Sequence, residues 1–427
     1  MKKEEFTQLN ETVYHEKLEN GLEVYIVPKP TYSKTYATFT TRYGSIDNEF
    51  QIQGQDQVKV PDGIAHFLEH KMFEEEEGDV FMKFASHGAS ANAFTSFDRT
   101  AYLFSSTRDI DTNLETLIDF VQNPYFTHEN VEKEKGIIGQ EIRMYEDDPD
   151  WRVYFGLIES LYHQFPVRID IAGTVESIQK IDKDILYRCY ETFYHPGNML
   201  LFIVGNVEPE KTMELIRQNQ GKKTFKELPK VERFYPQEPE GVGKEKSVIY
   251  LPVGIPKCFM GFKDQTGFVQ GDLWLKREVE MEILMDILFS PGSAIYQKLY
   301  ERGLINDGFG GDFTGEEYYG FSIIGGGTKD PDQMVSLITD ELKTQGSQGI
   351  DEELFALSKR KKIGEFLRSL NSLEYIANSY TRFRFADTDL FKTLDVLEKV
   401  TLQDVNQRFK DHFNFQSFAV SVVTSKE

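Results

Sequence analysis

Two histidines and one glutamate stand within five consecutive residues, in the run His66-Phe67-Leu68-Glu69-His70. Positions i, i+3 and i+4 of a helix lie within roughly 100° of one another, so these three side chains can converge on one point. Two imidazoles four residues apart commonly hold a zinc ion, and a carboxylate beside them can take a proton from bound water. The order H-x-x-E-H, the reverse of H-E-x-x-H, is typical of a distinct class of zinc hydrolase.

A third protein ligand must come from another segment, because zinc hydrolases usually combine three protein ligands with an open position. A helix is predicted from about Thr127, a good N-cap, to Asp147. Its residues Glu134 and Glu141 are seven apart, two helical turns, and therefore share one face. The apolar neighbours Ile137 and Ile138 lie near that face and favour inward-pointing carboxylates. The alternative is a charged stripe that faces solvent.

Strands and helices must position these groups. Alternating apolar residues predict strands over 22–27 and 35–42. A helix that carries the histidines should begin after Pro61-Asp62-Gly63, and a further amphipathic helix is predicted by the i, i+3, i+4, i+7 spacing of four residues. These are Leu114, Leu117, Ile118 and Val121.

The segment 221–246 is charged, contains three prolines and has little periodicity, which predicts a linker. A faint repeat flanks it: 180–193 resembles 399–413, and each segment leads into an apolar strand, 199–204 or 418–423. We therefore expect an α+β protein with a zinc-bearing domain over 1–220 and a homologous domain over 247–427.

Composition narrows the functional classes. The formal net charge of −22 disfavours nucleic-acid binding, and the chain has no phosphate-binding P-loop. The longest apolar run, 199–204, is too short to cross a membrane. The N-terminus lacks an apolar signal stretch, and Cys189 and Cys258 are too few and too far apart for a disulfide framework. These features predict a cytoplasmic protein.

The chain resembles the pitrilysin/insulinase family of zinc peptidases, and among them the short processing-peptidase-like members and the paired family proteins of Gram-positive bacteria. The resemblance covers nearly the whole length. The matching motifs are His66-Phe67-Leu68-Glu69-His70 with the preceding Gly63-Ile64-Ala65, Ala91-Asn92-Ala93-Phe94-Thr95, Glu134-x6-Glu141, Asp148-x-Asp150, Ala172-Gly173-Thr174 and Tyr194-His195-Pro196-Gly197-Asn198-Met199.

This resemblance implies two homologous α/β-sandwich halves, each a mostly antiparallel sheet covered by helices, that form a clamshell. It implies Zn²⁺ as the cofactor, with His66, His70 and Glu141 as its ligands. Glu69 matches the general base, and Glu134 matches a catalytic carboxylate that supports the site without binding the metal. Asn92 and Ala93 match an edge strand to which substrate peptides add; an ordinary β-turn exit is the alternative at these two positions.

One segment departs from the family pattern. Family members supply an Arg and a Tyr from the opposing half, in a segment resembling L-R-E-K-R-G-L-x-Y, to stabilise the oxyanion. The matching segment 298–306 is one residue shorter; Tyr300 stands where the Arg is expected, and Asn306 falls near the Tyr position. Arg302 is a candidate substitute, although its neighbour Gly303 aligns it with a different family residue.

The expected function is a zinc-dependent endopeptidase that hydrolyses extended or unfolded peptides. The missing pair predicts a dimer, either a heterodimer with a paralogous subunit that supplies the Arg and Tyr or a homodimer. The alternative is a non-hydrolytic peptide-binding or scaffolding subunit with a structural zinc site. The acidic run 74–77 is expected to be a solvated surface, although it could instead attract basic peptides.

Overall fold

The computed structural model describes residues 1–76 and 78–426, so Glu77 of the acidic run lies outside the described residues. The strands of the first half are β1 (Lys2–Phe6), β2 (Glu11–Lys17), β3 (Glu23–Pro28), β4 (Thr35–Thr41), β5 (Glu49–Ile52), β6 (Val58–Lys59), β7 (Glu74–Glu75), β8 (Gly78–Asp79), β9 (Ala89–Thr95), β10 (Thr100–Ser106) and β11 (Met199–Gly205). Its helices are α1 (Ile64–Met72), α2 (Val80–Ser86), α3 (Ile110–Val121), α4 (His128–Asp147), α5 (Pro149–Leu161), α6 (Val175–Ile178), α7 (Lys183–Phe193) and α8 (Pro209–Gly221).

The second half has the same mixture of elements. Its strands are β12 (Val231–Arg233), β13 (Lys246–Tyr250), β14 (Lys257–Phe262), β15 (Gly310–Gly315), β16 (Gly320–Gly327) and β17 (Phe418–Thr424). Its helices are α9 (Gly271–Phe289), α10 (Ala294–Glu301), α11 (Pro331–Gln348), α12 (Glu352–Ser369), α13 (Leu373–Phe385), α14 (Thr393–Lys399) and α15 (Leu402–His412). The predicted α+β class is confirmed.

Two compact units divide the chain. The N-terminal unit comprises 1–142, 169–235 and 369–382, and the C-terminal unit comprises 143–168, 236–368 and 383–427. Each unit therefore includes one segment from the other half of the sequence. The change from one unit to the other at Tyr235–Pro236 falls within the expected linker 221–246. The two domains over 1–220 and 247–427, and their homology, stay predictions.

A seven-stranded sheet forms the centre of the N-terminal unit, in the order β1-β2-β3-β11-β4-β10-β9. All neighbours are antiparallel except β3 and β11. Every residue of β4 and β11 is buried, which explains the continuous apolar run at 199–204. Tyr380 of α13 packs against Tyr25 and Phe202 of this sheet, with ring centroids 5.2 and 4.8 Å away.

A five-stranded sheet forms the centre of the C-terminal unit, in the order β13-β17-β14-β16-β15. Its strand directions repeat those of β3-β11-β4-β10-β9, with one parallel pair, β13 and β17. The predicted repeat is visible at the level of elements, since α7 and α15 are both 11 residues long. Each is followed by a seven-residue central strand, β11 or β17.

The predicted strands at 22–27 and 35–42 are confirmed as β3 and β4, and the three predicted helices are confirmed as α1, α3 and α4. Thr127 caps α4 through its hydroxyl, which accepts a hydrogen bond from the Asn130 N–H at 3.1 Å. Within the described ranges 1–76 and 78–426, every helix is too short or too polar to cross a membrane.

Candidate metal centre

Helix α1 begins at a backbone position that only glycine fits well. Gly63 has φ +87°, and a Cβ there would lie 2.3 Å from the carbonyl oxygen of Ala172. The Ser177 hydroxyl donates to the Asp62 carbonyl at 2.8 Å and ties the same turn to α6. The segments around 63 and 172, which carry two of the family motifs, therefore meet to fix the start of the histidine helix.

The three predicted metal ligands converge. One donor atom from each of His66, His70 and Glu141 lies within 4.8 Å of the other two. Glu141 Oε1 is 3.7 Å from His66 Nε2, and Glu141 Oε2 is 3.5 Å from His70 Nε2. The imidazole rings stand 4.5 Å apart between centroids. Helix α1 thus presents both Nε2 atoms to one carboxylate of α4.

Glu134 lies on the other side of His70. Its Oε1 is 3.1 Å from His70 Nδ1, and its Oε2 is 3.5 Å from the ammonium group of Lys71. The Lys71 side chain is fully buried and also donates to Glu74 at 2.5 Å. Both Glu134 oxygens are therefore engaged, and this carboxylate holds the His70 ring through its Nδ1.

The inward face of α4 agrees with the prediction only in part. Glu134 is 7% exposed and Ile138 is fully buried, whereas Ile137 is 46% exposed. The expectation that both isoleucines mark an inward side of the helix is wrong for Ile137. At 100° per residue, positions 137 and 138 flank the line of 134 and 141 by about 50° on opposite sides, so tertiary packing, and not the helical period, decides that Ile138 is the buried one.

Burial and charge set the protonation of the site. Burial lowers the pKa of His66 to about 3 and raises the pKa of Glu69. Burial also opposes protonation of His70, but its hydrogen bond to Glu134 and the surrounding carboxylates raise its pKa overall. Burial raises the pKa of Glu134, and the contacts with His70 and Lys71 outweigh it and lower that pKa.

Glu69 lies beside the histidine pair and is only 8% exposed. Its Oε2 accepts a hydrogen bond from the Thr95 hydroxyl at 2.7 Å. Thr95 is the last residue of β9, so an element other than α1 holds this carboxylate. A buried carboxylate with a raised pKa, beside two imidazoles, can exchange protons with a substrate.

Asn92 and Ala93 lie in β9, at one edge of the seven-stranded sheet. The alternative, a β-turn exit at these positions, was wrong, because Asn92 pairs with Leu103 and Ala93 with Tyr102 of β10. The Asn92 side chain accepts a hydrogen bond from the Ala93 N–H at 2.9 Å. An edge strand offers backbone groups to an added peptide strand.

Sequence reasoning missed the role of Lys71. From the sequence, a lysine directly after H-x-x-E-H is expected to be solvated. In the structure, Lys71 lies on the buried side of α1, together with the fully buried Phe67 and Leu68. Sequence reasoning also missed a cavity of about 610 Å³ beside His70. Its lining includes Phe73, Glu74, Phe81, Tyr125 and Asn130.

The segment that departs from the family pattern lies at α10 in the C-terminal unit. Tyr300 is 56% exposed, and its ring stacks near Tyr296 with 6.3 Å between centroids. Asn306 is exposed, and its side chain accepts a hydrogen bond from the Gly308 N–H at 3.0 Å. Position 300 thus carries a tyrosine where the resemblance implies an arginine, and position 306 carries an asparagine where it implies a tyrosine.

The donor set fits a zinc ion. Ligands about 2.0–2.2 Å from a tetrahedral zinc lie about 3.4 Å from each other, close to the 3.5 and 3.7 Å between Glu141 and the two Nε2 atoms. Two imidazoles and one carboxylate are also the ligand set of a common type of catalytic zinc site. His66 Nδ1, by contrast, is buried without a hydrogen-bond partner among the residues that the structure describes.

The fold and these motifs define the class of protein: the chain belongs to the insulinase family, peptidase family M16. The family model "Insulinase (Peptidase family M16)" matches residues 56–175, which include the histidines and both α4 carboxylates. The model "Peptidase M16 inactive domain" matches residues 180–362. The predicted family is thereby confirmed.

Among individual relatives, the chain is 55% identical over 423 residues to the uncharacterized zinc protease YmfH of Bacillus subtilis (strain 168), with 99% of each chain covered. Its sequence is 42% identical to that of an M16-like peptidase from Alicyclobacillus acidocaldarius, and its fold matches the crystal structure of that protein with a TM-score of 0.95 over 97% of this chain and 99% of that one. A protease from Helicobacter pylori shares the fold, with a TM-score of 0.83 at 19% identity over 96% of this chain and 99% of that one.

Proposed function

We propose that this protein is a zinc-dependent endopeptidase that hydrolyses extended or unfolded peptides. The observation that carries the proposal is the convergence of His66, His70 and Glu141, with the buried Glu69 carboxylate beside them. His66, His70 and Glu141 would hold the metal, and Glu134 would orient His70. A zinc ion held there would polarise a carbonyl and lower the pKa of a water molecule towards 7.

The chain's own groups carry the proton transfers. Glu69 takes a proton from the attacking water and later gives it to the nitrogen of the leaving amine, so that water and a peptide bond become an acid and an amine. The neutral amide of a glutamine could do neither. Burial raises the pKa of Glu69 and so increases its affinity for a proton, which suits a group that takes a proton and later returns it.

Substrate binding is proposed to use the free edge of β9. A peptide added along Asn92 and Ala93 gains main-chain hydrogen bonds that depend little on its side chains. Two alanines on this strand, Ala91 and Ala93, leave little bulk beside the added backbone. Extended or unfolded segments, which can adopt strand geometry, are the substrates that suit such a surface.

The partner is proposed to be a paralogous subunit. Tyr300 and Asn306 stand at positions where the family resemblance implies an arginine and a tyrosine, so a second chain would have to supply the oxyanion donors. Buried Cys189 and Cys258, both free thiols, are consistent with action in the reducing cytoplasm. Mixing the chain with paralogues from the same cell should raise peptide cleavage; full activity of the purified chain alone would reject the partner.

A quenched fluorescent peptide library tests the proposed activity. The zinc-loaded protein, alone and with paralogues, should cleave members of the library, and a zinc chelator should stop cleavage. The Glu69→Gln protein provides the control for contaminating proteases, because it should bind zinc and fail to cleave. Cleavage that survives both the chelator and the Glu69→Gln change would contradict the proposal.

The second candidate is a non-hydrolytic peptide-binding or scaffolding subunit. The observation that favours it is the same absence of the expected arginine and tyrosine from 298–306. In that case the protein would bind peptides with equal affinity before and after Glu69→Gln, and no paralogue would produce cleavage. Binding of a labelled peptide, measured beside the cleavage assay, separates the two functions.

A further inference from the structure

Thr95 joins the proposed base to the proposed substrate strand. Its hydroxyl donates to Glu69 Oε2 at 2.7 Å. In the part of the chain that the structure describes, Glu69 has no other side-chain hydrogen-bond partner. The contact is short, involves a buried acceptor and links two elements that are 26 residues apart in sequence. It is therefore a specific constraint on the direction in which this carboxylate points.

Thr95 lies on the same face of β9 as two residues of the proposed substrate-binding segment. Side chains alternate along a strand, so Ala91, Ala93 and Thr95 share one face of β9. That face lies over Glu69, whereas Ser90 and Asn92 project to the other, exposed face. Thr95 follows Ala93 by two residues, about 7 Å along the strand. The group that holds the base thus belongs to the strand that would receive the substrate backbone.

We propose that Thr95 is the positioning residue for Glu69, aligning the base with a peptide bound along β9; this inference rests on the proposed peptidase function. The hydroxyl fixes Oε2 and leaves Oε1 to exchange the proton. A general base must lie within hydrogen-bond reach of the proton that it takes, and a carboxylate on a glutamate side chain otherwise rotates about its last bond. Thr95 removes that rotation.

Deletion of the hydroxyl should slow turnover without weakening substrate binding. Thr95→Val keeps the shape and strand propensity of the residue and removes only the donor. In the zinc-saturated protein, with paralogue present if cleavage requires it, we expect kcat to fall roughly tenfold, because small misplacement of a reacting group costs about 10- to 100-fold. KM for a quenched fluorescent peptide should stay within about twofold, since the backbone edge of β9 is unchanged.

Two further variants separate positioning from strand stability. Thr95→Ser retains a hydroxyl and should recover most of the lost kcat. Thr116→Val removes a hydroxyl from the exposed surface of α3, where it bonds the Thr112 carbonyl, and should leave kcat as in the wild type. A Thr95→Val protein with wild-type kcat, with a change in KM alone, or with the same defect as Thr95→Ser would overturn the proposal.

A double-mutant cycle tests the contact without any activity. In the chelator-treated full-length protein, Thr95→Val should lower the melting temperature more in the wild-type background than in Glu69→Ala, because its partner is absent from the latter. Equal shifts in the two backgrounds would overturn the contact. A wild type that cleaves nothing rejects the peptidase function; a wild type that cleaves beside an unaffected Thr95→Val rejects this inference alone.

Discussion

The two units place very different side chains at matching positions of their sheets. In the N-terminal unit, α1 lies against edge strand β9 and brings His66, Glu69 and His70 together. In the C-terminal unit, α9 lies against edge strand β15. There the fully buried Arg277 contacts Asp264 at 3.3 Å and donates to the Glu316 carbonyl at 2.9 Å.

The difference lies in how the buried acids beside these two edge strands are balanced. The C-terminal unit pairs Asp264 with Arg277 and Glu280 with Arg408, so its cations are supplied by the chain. In the N-terminal unit, the fully buried Lys71 is engaged by Glu74 and Glu134. Glu69 is held by the Thr95 hydroxyl, and Glu141 faces the two imidazole Nε2 atoms at 3.7 and 3.5 Å, an arrangement of acids and imidazoles into which a divalent metal would fit.

The largest expected effect is on turnover. Glu69→Gln should lower kcat by up to roughly 10⁴-fold, because an amide cannot accept the proton, while zinc content stays at one per chain. Steady-state cleavage and elemental analysis measure the two quantities. A Glu69→Gln protein that still turns over at near the wild-type rate would show that the N-terminal unit does not use this acid.

Loss of a ligand should abolish the metal together with activity. His66→Ala and Glu141→Ala each remove one of three protein donors, so we expect zinc affinity to fall by well over the roughly 100-fold typical of groups behind the ligands. Competition with a chromophoric chelator measures the affinity. Glu132→Ala, an exposed acid on the same helix, serves as the matched control and should bind zinc normally. Wild-type zinc binding by either ligand variant contradicts the assignment.

For the Arg277–Asp264 ion pair of the C-terminal unit, we expect a loss of folding stability without a loss of zinc affinity. Arg277→Met leaves Asp264 buried without its guanidinium partner, and breaking such a pair costs about 3–5 kcal/mol of folding free energy. Chemical denaturation should show this loss, while the zinc affinity of the folded protein is unchanged. A weakened zinc site in Arg277→Met would break the comparison, because the C-terminal cation would then serve the metal centre.

Acid should destabilise the C-terminal unit through His412. Burial lowers the pKa of His412 to about 4, although the charge of the nearby Asp264 acts in the opposite direction and raises it. Between pH 6.5 and about 4 the unfolded chain binds a proton that the folded chain does not, so stability falls as the pH falls through this window, by up to about 3 kcal/mol. His412→Leu should flatten this part of the pH dependence.

The control for this experiment is His163→Asn, because His163 is an exposed histidine of the same unit. Its pH dependence should match that of the wild type. Identical curves for the wild type and His412→Leu would mean that the buried imidazole does not contribute to the acid sensitivity of the fold.

A smaller effect is expected at Glu134. Glu134→Ala removes the partner of His70 Nδ1 but no metal ligand, so zinc affinity should fall by about 10- to 100-fold, less than for Glu141→Ala. The same chelator competition compares the two variants directly. If Glu134→Ala lost more affinity than Glu141→Ala, the roles of the two α4 carboxylates would have to be exchanged.

Much of the N-terminal site was predictable because it depends on local spacing. The i, i+3, i+4 pattern placed His66, Glu69 and His70 on one helix face, and the seven-residue interval put Glu134 and Glu141 together on another. Spacing alone could not say which carboxylate meets the Nε2 atoms, and only the family resemblance implied Glu141. The structure distinguishes the two, since Glu134 contacts Lys71, whose burial results from tertiary packing.

The fold, like the site, was predictable where it depends on residues close in sequence. Period-two and period-3.6 patterns located β3, β4, α1, α3 and α4, since each is set by residues close in sequence. The assignment of 143–168 to the C-terminal unit and 369–382 to the N-terminal unit was not predictable. Helices α5 and α13 have no local signal for the sheet on which they pack, because long-range apolar contacts decide it.

Anomalous diffraction from crystals of the zinc-loaded protein, recorded on both sides of the zinc absorption edge, tests the central claim most directly. The account predicts one strong peak at about 2.0–2.2 Å from His66 Nε2, His70 Nε2 and a Glu141 oxygen, with Glu134 outside ligand distance. A peak bound by Glu134 in place of Glu141, or no zinc peak at the histidines, would contradict it.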